Sequence, residues 1–206
     1  VDLPSARYPF PGVERYPAWP EVQQLLGRIQ QELGELPGIV ELALAQHQPL
    51  QSGWTTTVIR ADQLDTQPEE ETTLRAISPG YLATLSVPLS GGRDRAAGPR
   101  AGARRVRVIK EACARRWYPD RDPLGQSLQF FGQQREIVGI IGNERFAGLA
   151  QAHAPAVYPP LQQTPFSGFS VLARVAPGTD AAAAARQLQA AIARIEPQAT
   201  VYASGP

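Results

Sequence analysis

Two stretches near opposite ends of the chain share one design, and that repetition restricts the fold more than any other feature. From Trp19 to Leu36 apolar residues recur at steps of three and four (Trp19, Val22, Leu25, Leu26, Ile29, Leu33, Leu36), while Glu21, Gln24, Arg28, Gln31 and Glu35 take the other side. Such spacing predicts a helix with one apolar stripe for packing on a sheet. Pro20 suits its first turn, Pro37-Gly38 ends it, and Ile39 to Ala45 follows at once as a strand. Near the other end, Phe169 to Val175 reads as a strand and Pro177-Gly178 as a turn. Thr179 or Asp180 then caps a helix whose Ala184, Leu188, Ala191, Ile192 and Ile195 line one face. Pro197 ends it, and Ala199 to Ala203 is a final strand. Val1 to Tyr8 supplies a strand ahead of the first helix, and Pro4 places it at an edge. Two strand-helix-strand units with right-handed crossovers predict one open sheet carrying both helices on a single face.

The middle of the chain has a different grammar. Pro9 to Pro20 contains Pro9, Pro11, Pro17 and Pro20 and is a connection. Trp54 to Ala61 and Thr72 to Ser78 read as strands, separated by a polar loop carrying Asp65, Glu69, Glu70 and Glu71. Ser78-Pro79-Gly80 precedes a single helical turn whose Tyr81, Leu82 and Leu85 are expected to plug a join between subdomains. Arg105 to Ile109 alternates at period two and Glu111 to Tyr118 shifts to helical spacing, with Cys113, Ala114 and Trp117 on its apolar side. Pro119 and Pro123 close that helix. Gln126 to Phe131 and Arg135 to Ile141 form a hairpin across Gly132-Gln133-Gln134, and the second run is apolar enough for burial on both faces. Asp94 to Ala103, rich in Ala, Gly, Pro and Arg, is expected to be a mobile loop.

Four of these segments, taken in order, resemble a known family. RAISPGYLATLSVPLSGGR at Arg75 to Arg93 is followed by VIKEACARRWYPDRDPLG at Val108 to Gly125, IVGIIGNER at Ile137 to Arg145 and AVYPPL at Ala156 to Leu161. Together they resemble the MacB-type periplasmic core domain of ABC transporter permeases, of the MacB/FtsX-like kind, over nearly the whole chain. Departures from the family pattern fall at Lys110, Asn143 and Ser86-Val87, positions that read as structural. The resemblance implies an α+β fold: a porter-like βαβ-repeat subdomain formed by both chain ends (residues 1–84 and 152–206), plus an inserted smaller α/β subdomain (residues 85–151). It implies a domain outside the membrane that couples ATP-driven movement of membrane helices to conformational change, in transport or efflux. The implied partners are an ABC ATPase subunit or domain, a second permease copy and a periplasmic adaptor. The parent chain would sit in the inner membrane, with this domain on its periplasmic side. Val1 and Pro206 would then continue into membrane helices and lie at the same end of the molecule.

Composition narrows the alternatives. A chain of 206 residues can bury a substantial core, and a net charge of +1 argues against a dedicated nucleic-acid binder. Arg100, Arg104, Arg105 and Arg107 cluster, but a solvated loop and strand edge accounts for them. No run of about 18 apolar residues is present, so nothing here is expected to span a membrane. No signal peptide opens the chain. There is also no methionine, which suggests a segment of a longer protein.

The chemistry of catalysis is missing at the level of motif. His47 and His153, the two histidines, stand outside any HExxH or HxH pattern. Ser52-Gly53 and Ser167-Gly168 lack the first glycine of a G-x-S-x-G elbow. Gly91-Gly92 lacks the Lys-Ser/Thr of a phosphate loop, and the acidic loop lacks calcium-loop spacing. Cys113, the single cysteine, reads as a small core residue. The sequence therefore nominates no catalytic, cofactor-binding or metal-binding residue and predicts no enzyme. A free-standing periplasmic ligand-binding or adaptor protein is the alternative, marked by a deep cleft between subdomains. A hydrolase would require His47 or His153 to approach a serine and a carboxylate.

Overall fold

The computed structural model describes residues 1–12, 19–48, 51, 54–60, 70–92, 106–142 and 155–202. The chain forms two lobes built on two sheets, in keeping with the α+β expectation. In the smaller lobe, β1 (Ile39–Ala45) pairs antiparallel with β9 (Ser170–Val175). Asp2 extends this sheet, bridging antiparallel to Gly168 on one side and to Thr200 on the other. The order across the lobe is thus residue 200, residue 2, β9, β1, two interleaved strand-helix-strand units in the split arrangement. The first segment is internal to the sheet, not at its edge as Pro4 suggested. Its pairing stops at Leu3, and Pro4 opens a turn in which Arg7 and Tyr8 both donate their amides back to the Pro4 carbonyl.

Both long helices, α1 (Pro20–Gly34) and α4 (Ala181–Ile195), pack into one core with this sheet. Val22, Leu26, Ile29 and Leu33 of α1 meet Leu42 and Leu44 of β1 and Ala191, Ile192 and Ile195 of α4. Pro20 occupies the first turn of α1, and the Asp180 carboxylate accepts the Ala182 amide as the N-cap of α4. The C-terminal end of α4 is tied to the chain start. Glu196, 1% exposed, accepts hydrogen bonds from the Tyr8 hydroxyl at 2.6 Å and from Arg7 at 3.0 Å. Burial and this carboxylate push the Tyr8 phenol above its ordinary pKa.

The larger lobe contains β2 (Trp54–Arg60), β3 (Glu70–Leu74), β4 (Leu89–Gly92), β5 (Val106–Lys110), β6 (Ser127–Phe130), β7 (Gln133–Ile141) and β8 (Ala156–Tyr158). Their order is β4-β7-β5-β8-β3-β2-β6, and β6 also pairs with β7. The strands from β7 through β6 therefore close into a ring, which leaves few free edges. Inside lie Val58, Leu74, Ile109, Leu128, Ile137 and Val157, covered by Cys113, Ala114 and Trp117 of α3 (Glu111–Trp117). This sheet takes strands from both sides of the divisions expected near residues 84 and 151, since β2 pairs with β6 and β8 pairs with β5. Strand spacing in sequence is silent about which sheet a strand joins.

Local differences have local causes. The hairpin turn is Phe131-Gly132, both at positive φ (49° and 64°), one residue earlier than expected. Gln133 and Gln134 are in the ladder opposite Phe130 and Gln129. β7 is buried along one face only, at Arg135, Ile137, Gly139 and Ile141, and half-buried along the other. Gly92 (φ 77°) lets β4 approach β7 so closely that a Cβ there would lie 2.2 Å from the Val138 carbonyl oxygen. The loop at 94–103, Asp65, Glu69, Arg100, Arg104, Arg105, Asn143 and His153 lie outside the described residues.

Candidate functional site: the joint between the lobes

The lobes meet through chain segments that pass continuously from one sheet to the other. Beyond β3 and β8 the two strands keep running side by side. Arg75 donates its amide to the Val157 carbonyl (3.0 Å), Ile77 to Pro159 (2.9 Å), and Leu161 donates back to Ile77 (2.7 Å). At their far end they join the small sheet, where Ile77 bridges Ala45 as well as Pro160. Ser78 locks this contact in both directions, its amide to the Leu44 carbonyl and its hydroxyl accepting the Leu44 amide, each at 2.8 Å. A pair of hydrogen-bonded strands resists bending far better than a single linker, because bending must break ladder bonds.

Three further contacts stiffen the joint. Arg75 is fully buried and donates to the carbonyls of Gln48 (2.8 Å), Gln51 (2.7 Å) and His47 (3.3 Å), strapping the crossing that leaves β1 onto the double strand. Arg174 of β9 reaches the last carbonyls of the short helix α2 (Tyr81–Leu85), donating to Ala83 and Thr84 at 2.8 Å, and to the Ser86 hydroxyl at 2.6 Å. A cation at a helix C-terminus is favoured by the carbonyl dipoles there. Ser86 itself is left-handed (φ 54°), its amide capping α2 on the Ala83 and Leu82 carbonyls. Tyr81 and Leu82 are buried with Ala43 and Ala45 from the small lobe and Val108, Ile141 and Tyr158 from the large one, which is the plug expected of this turn.

The residues weighed as chemical candidates are scattered. His47 sits in the joint, with its pKa lowered by burial and by the nearby Arg75. Cys113 is buried on the inner side of α3, where its Sγ accepts the Ala156 amide at 3.0 Å. Ser167 and Gly168 belong to the segment beside Asp2, and the Gly91-Gly92 pair belongs to β4. Among the described residues, no group of three or more His, Cys, Asp or Glu is placed to hold a metal ion. No described helix is long and apolar enough to cross a membrane. A groove of roughly 1230 Å³ runs beside β9 and α4, reaching His47 and Gln51 at one end and Tyr202 at the other. None of β2 to β8 contributes to its lining. The polar ties of the joint, unlike its Tyr81 and Leu82 plug, are not legible in the sequence, although Arg75 carries a signal. A cation between Leu74 and Ala76-Ile77, in an otherwise apolar strand, must find buried acceptors.

The chain ends lie side by side in the small sheet. Asp2 and Thr200 exchange backbone hydrogen bonds at 2.9 Å in both directions, and the Tyr202 hydroxyl bonds the Asp2 side chain, which raises its pKa. Because these neighbours run antiparallel, the strand that begins at Val1 lies beside the one that ends near Tyr202.

The chain belongs to the family of MacB-like periplasmic core domains, whose model matches residues 8–191. The periplasmic region of MacB from Actinobacillus actinomycetemcomitans superposes with a TM-score of 0.57 at 12% identity, over 83% of this chain and 74% of that one. The extracellular domain of the noncanonic ABC-type transporter YknZ from Gram-positive bacteria gives 0.59 at 14% identity, over 84% of each chain. A domain of a putative permease from Porphyromonas gingivalis gives 0.57 at 19% identity, over 82% of this chain and 68% of that one. At these identities the likeness is one of fold. No curated protein matches the sequence.

Proposed function

We propose that this domain transmits movement in an ABC transporter permease. ATP-driven displacement of membrane helices reaches it through both chain ends and is carried to the outer lobe as motion of one body. The observation that carries the proposal is the pairing of the two ends side by side in one sheet. Helices joined there would emerge side by side, about 8 to 10 Å apart when packed, and would pull on one ladder. The Glu196 clasp anchors the entering segment to the end of α4, and the double strand with its Arg75 and Arg174 ties passes the displacement onward without a flexible linker. The ATPase would be a separate domain or subunit, and a second permease copy and a periplasmic adaptor are the expected companions. Residues 1–84 with 152–206, and 85–151, remain our proposed inner and inserted parts, now with an exchange of strands between them.

The test has two parts. The coding sequence on either side should encode membrane helices. In the parent protein reconstituted with its ATPase, spin labels at Arg28 and Asp120 should keep a constant separation through the ATP cycle. Labels at Arg28 in two copies should move apart or together. A changing separation between lobes within one copy, with no change between copies, would refute transmission by a rigid body.

A further inference from the structure

The groove beside β9 and α4 has the width of one strand. Asp2 lies between Gly168 and Thr200 in the small sheet, and its neighbour Val1 is bonded to Phe169 in both directions, accepting the Phe169 amide at 2.9 Å and donating from its own nitrogen to the Phe169 carbonyl at 2.8 Å. Past Val1 the two flanking segments go on, β9 to Val175 and the last segment to Tyr202. They are two strand positions apart in one sheet, so about 9 to 10 Å separates them. The groove occupies this interval. Val171 and Ala173 line one side of it, Val201 and Tyr202 the other, and Ala184 and Leu188 of α4 form its floor.

The backbone along β9 faces into the groove. Leu44, opposite Val171, gives both its amide and its carbonyl to Ser78, so the β1–β9 bonds run through the alternate pairs Ala43–Leu172 and Ala45–Ser170. The N–H and C=O groups of Val171 and Ala173 therefore point away from β1, along the same side on which Phe169 bonds Val1. A row of such groups is a template for another strand. Side chains sort by face as well. Val1, Phe169, Val171, Ala173 and Val201 pack toward the helices together with Leu188, whereas Asp2 and Tyr202 meet on the opposite face. Arg174, the charged residue of β9, also leaves by that opposite face to reach α2. The floor is small and apolar, for Ala184 belongs to a run of five alanines, 181–185. Leu188 is only half-buried there, although it stands on the inner stripe of α4.

We propose that the groove seats a strand formed by about five residues that lead into Val1 in the parent permease, antiparallel to β9, with apolar side chains at the second and fourth positions before Val1. The inference rests on the permease reading, in which chain precedes Val1. Because the Val1 nitrogen already holds a ladder position, a residue joined to it arrives opposite Ser170 at the mouth of the groove, and those before it fall opposite Val171, Leu172 and Ala173. A partner's strand would have to displace a segment tethered at that mouth, against its high effective concentration. The second and fourth positions point down and cover Ala184 and Leu188, which completes the core beneath the sheet. A membrane helix on this side would then begin about 17 Å beyond Val1. Its pull would run along a strand bonded to both neighbours, loading those bonds together instead of peeling them one by one.

The test compares this chain with the same chain extended by the residues encoded immediately before it. Amide exchange at Val171 and Ala173, read by NMR, should slow at least about tenfold in the extended chain, while Leu172, already bonded to β1, is unchanged. A cysteine at the third position before Val1 should form a disulfide with Leu172→Cys, its non-hydrogen-bonded partner, and a cysteine at the second position, on the other face, should not. Aspartate at the second position should cancel the slowing, and aspartate at the third should leave it. The proposal is overturned if Val171 and Ala173 exchange equally fast in both chains, if the disulfide does not discriminate between the two positions, or if aspartate at the second position leaves the slowing intact. It is also overturned if exchange in the unextended chain slows as protein concentration rises, which would assign the groove to a second copy. The permease reading fails separately, on a coding sequence with no membrane helix upstream, and slowed exchange would then still support the strand.

Discussion

Replacing Arg75 by methionine isolates what the joint contributes to stability. Methionine keeps the unbranched apolar stem that the buried site surrounds, and it removes the guanidinium that serves the carbonyls of His47, Gln48 and Gln51. Each carbonyl left unpaired costs about 1 to 3 kcal/mol if no water reaches it. Two effects oppose that loss: the buried cation no longer bears its desolvation cost, and Gln51 is exposed enough for water to replace part of the bonding. A net loss of about 3 kcal/mol follows, which for a chain of this size lowers Tm by roughly 6 to 12 °C. Urea titration followed by circular dichroism should show the loss with an unchanged slope, and amide exchange should rise first at residues 46 to 51. NMR titration of His47 gives an independent reading. Its pKa is depressed mainly by burial and then by Arg75, so the variant should move it upward. A loss under about 1 kcal/mol, or an unmoved His47, would refute the assignment of Arg75 as the strap of the joint.

The same histidine makes stability depend on pH. Its pKa lies below the ordinary 6.5 in the folded state, so the unfolded chain takes up the proton first, and stability present above pH 6.5 declines as pH falls through the folded value. His47→Gln should flatten that decline in urea titrations between neutral and mildly acid pH. Gly92→Ala should destabilise by about 3 kcal/mol or more, because its Cβ would strike the Val138 carbonyl in a left-handed backbone; a normal Tm would contradict the β4–β7 approach. Cys113→Ser should cost about 1 kcal/mol through packing and abolish nothing, as thermal unfolding and a fold-sensitive spectrum will show. The purified domain should be a monomer at micromolar concentration, without a shift in Tm on adding ATP, zinc or calcium. A shift of several degrees would reopen the search for a site, and a dimer burying well over about 1,600 Å² would reveal an interface of its own.

The sequence by itself determined most of the elements and, through its motifs, the family; β4 was not legible, and β3 begins at Glu70, within a stretch whose carboxylates read as loop. Helical periodicity placed α1 and α4 with their buried faces, Pro37-Gly38 and Pro177-Gly178 marked the turns, and Cys113, Ala114 and Trp117 were legible as the inner side of α3. These are local properties, set by steric preference and by which side of a helix or strand is apolar. Tertiary structure decided what joins to what. That β2 and β3 enter the barrel, that Asp2 is flanked on both sides, and that the β3 and β8 segments continue into the small sheet all depend on pairings between residues distant in sequence. Strand alternation carries no label for its partner, so such pairings cannot be read from it. The same holds for Arg75, Arg174 and Glu196, whose polar groups are satisfied by backbone and side chains from other segments. A buried charge in the sequence announces that acceptors exist, but only the fold names them.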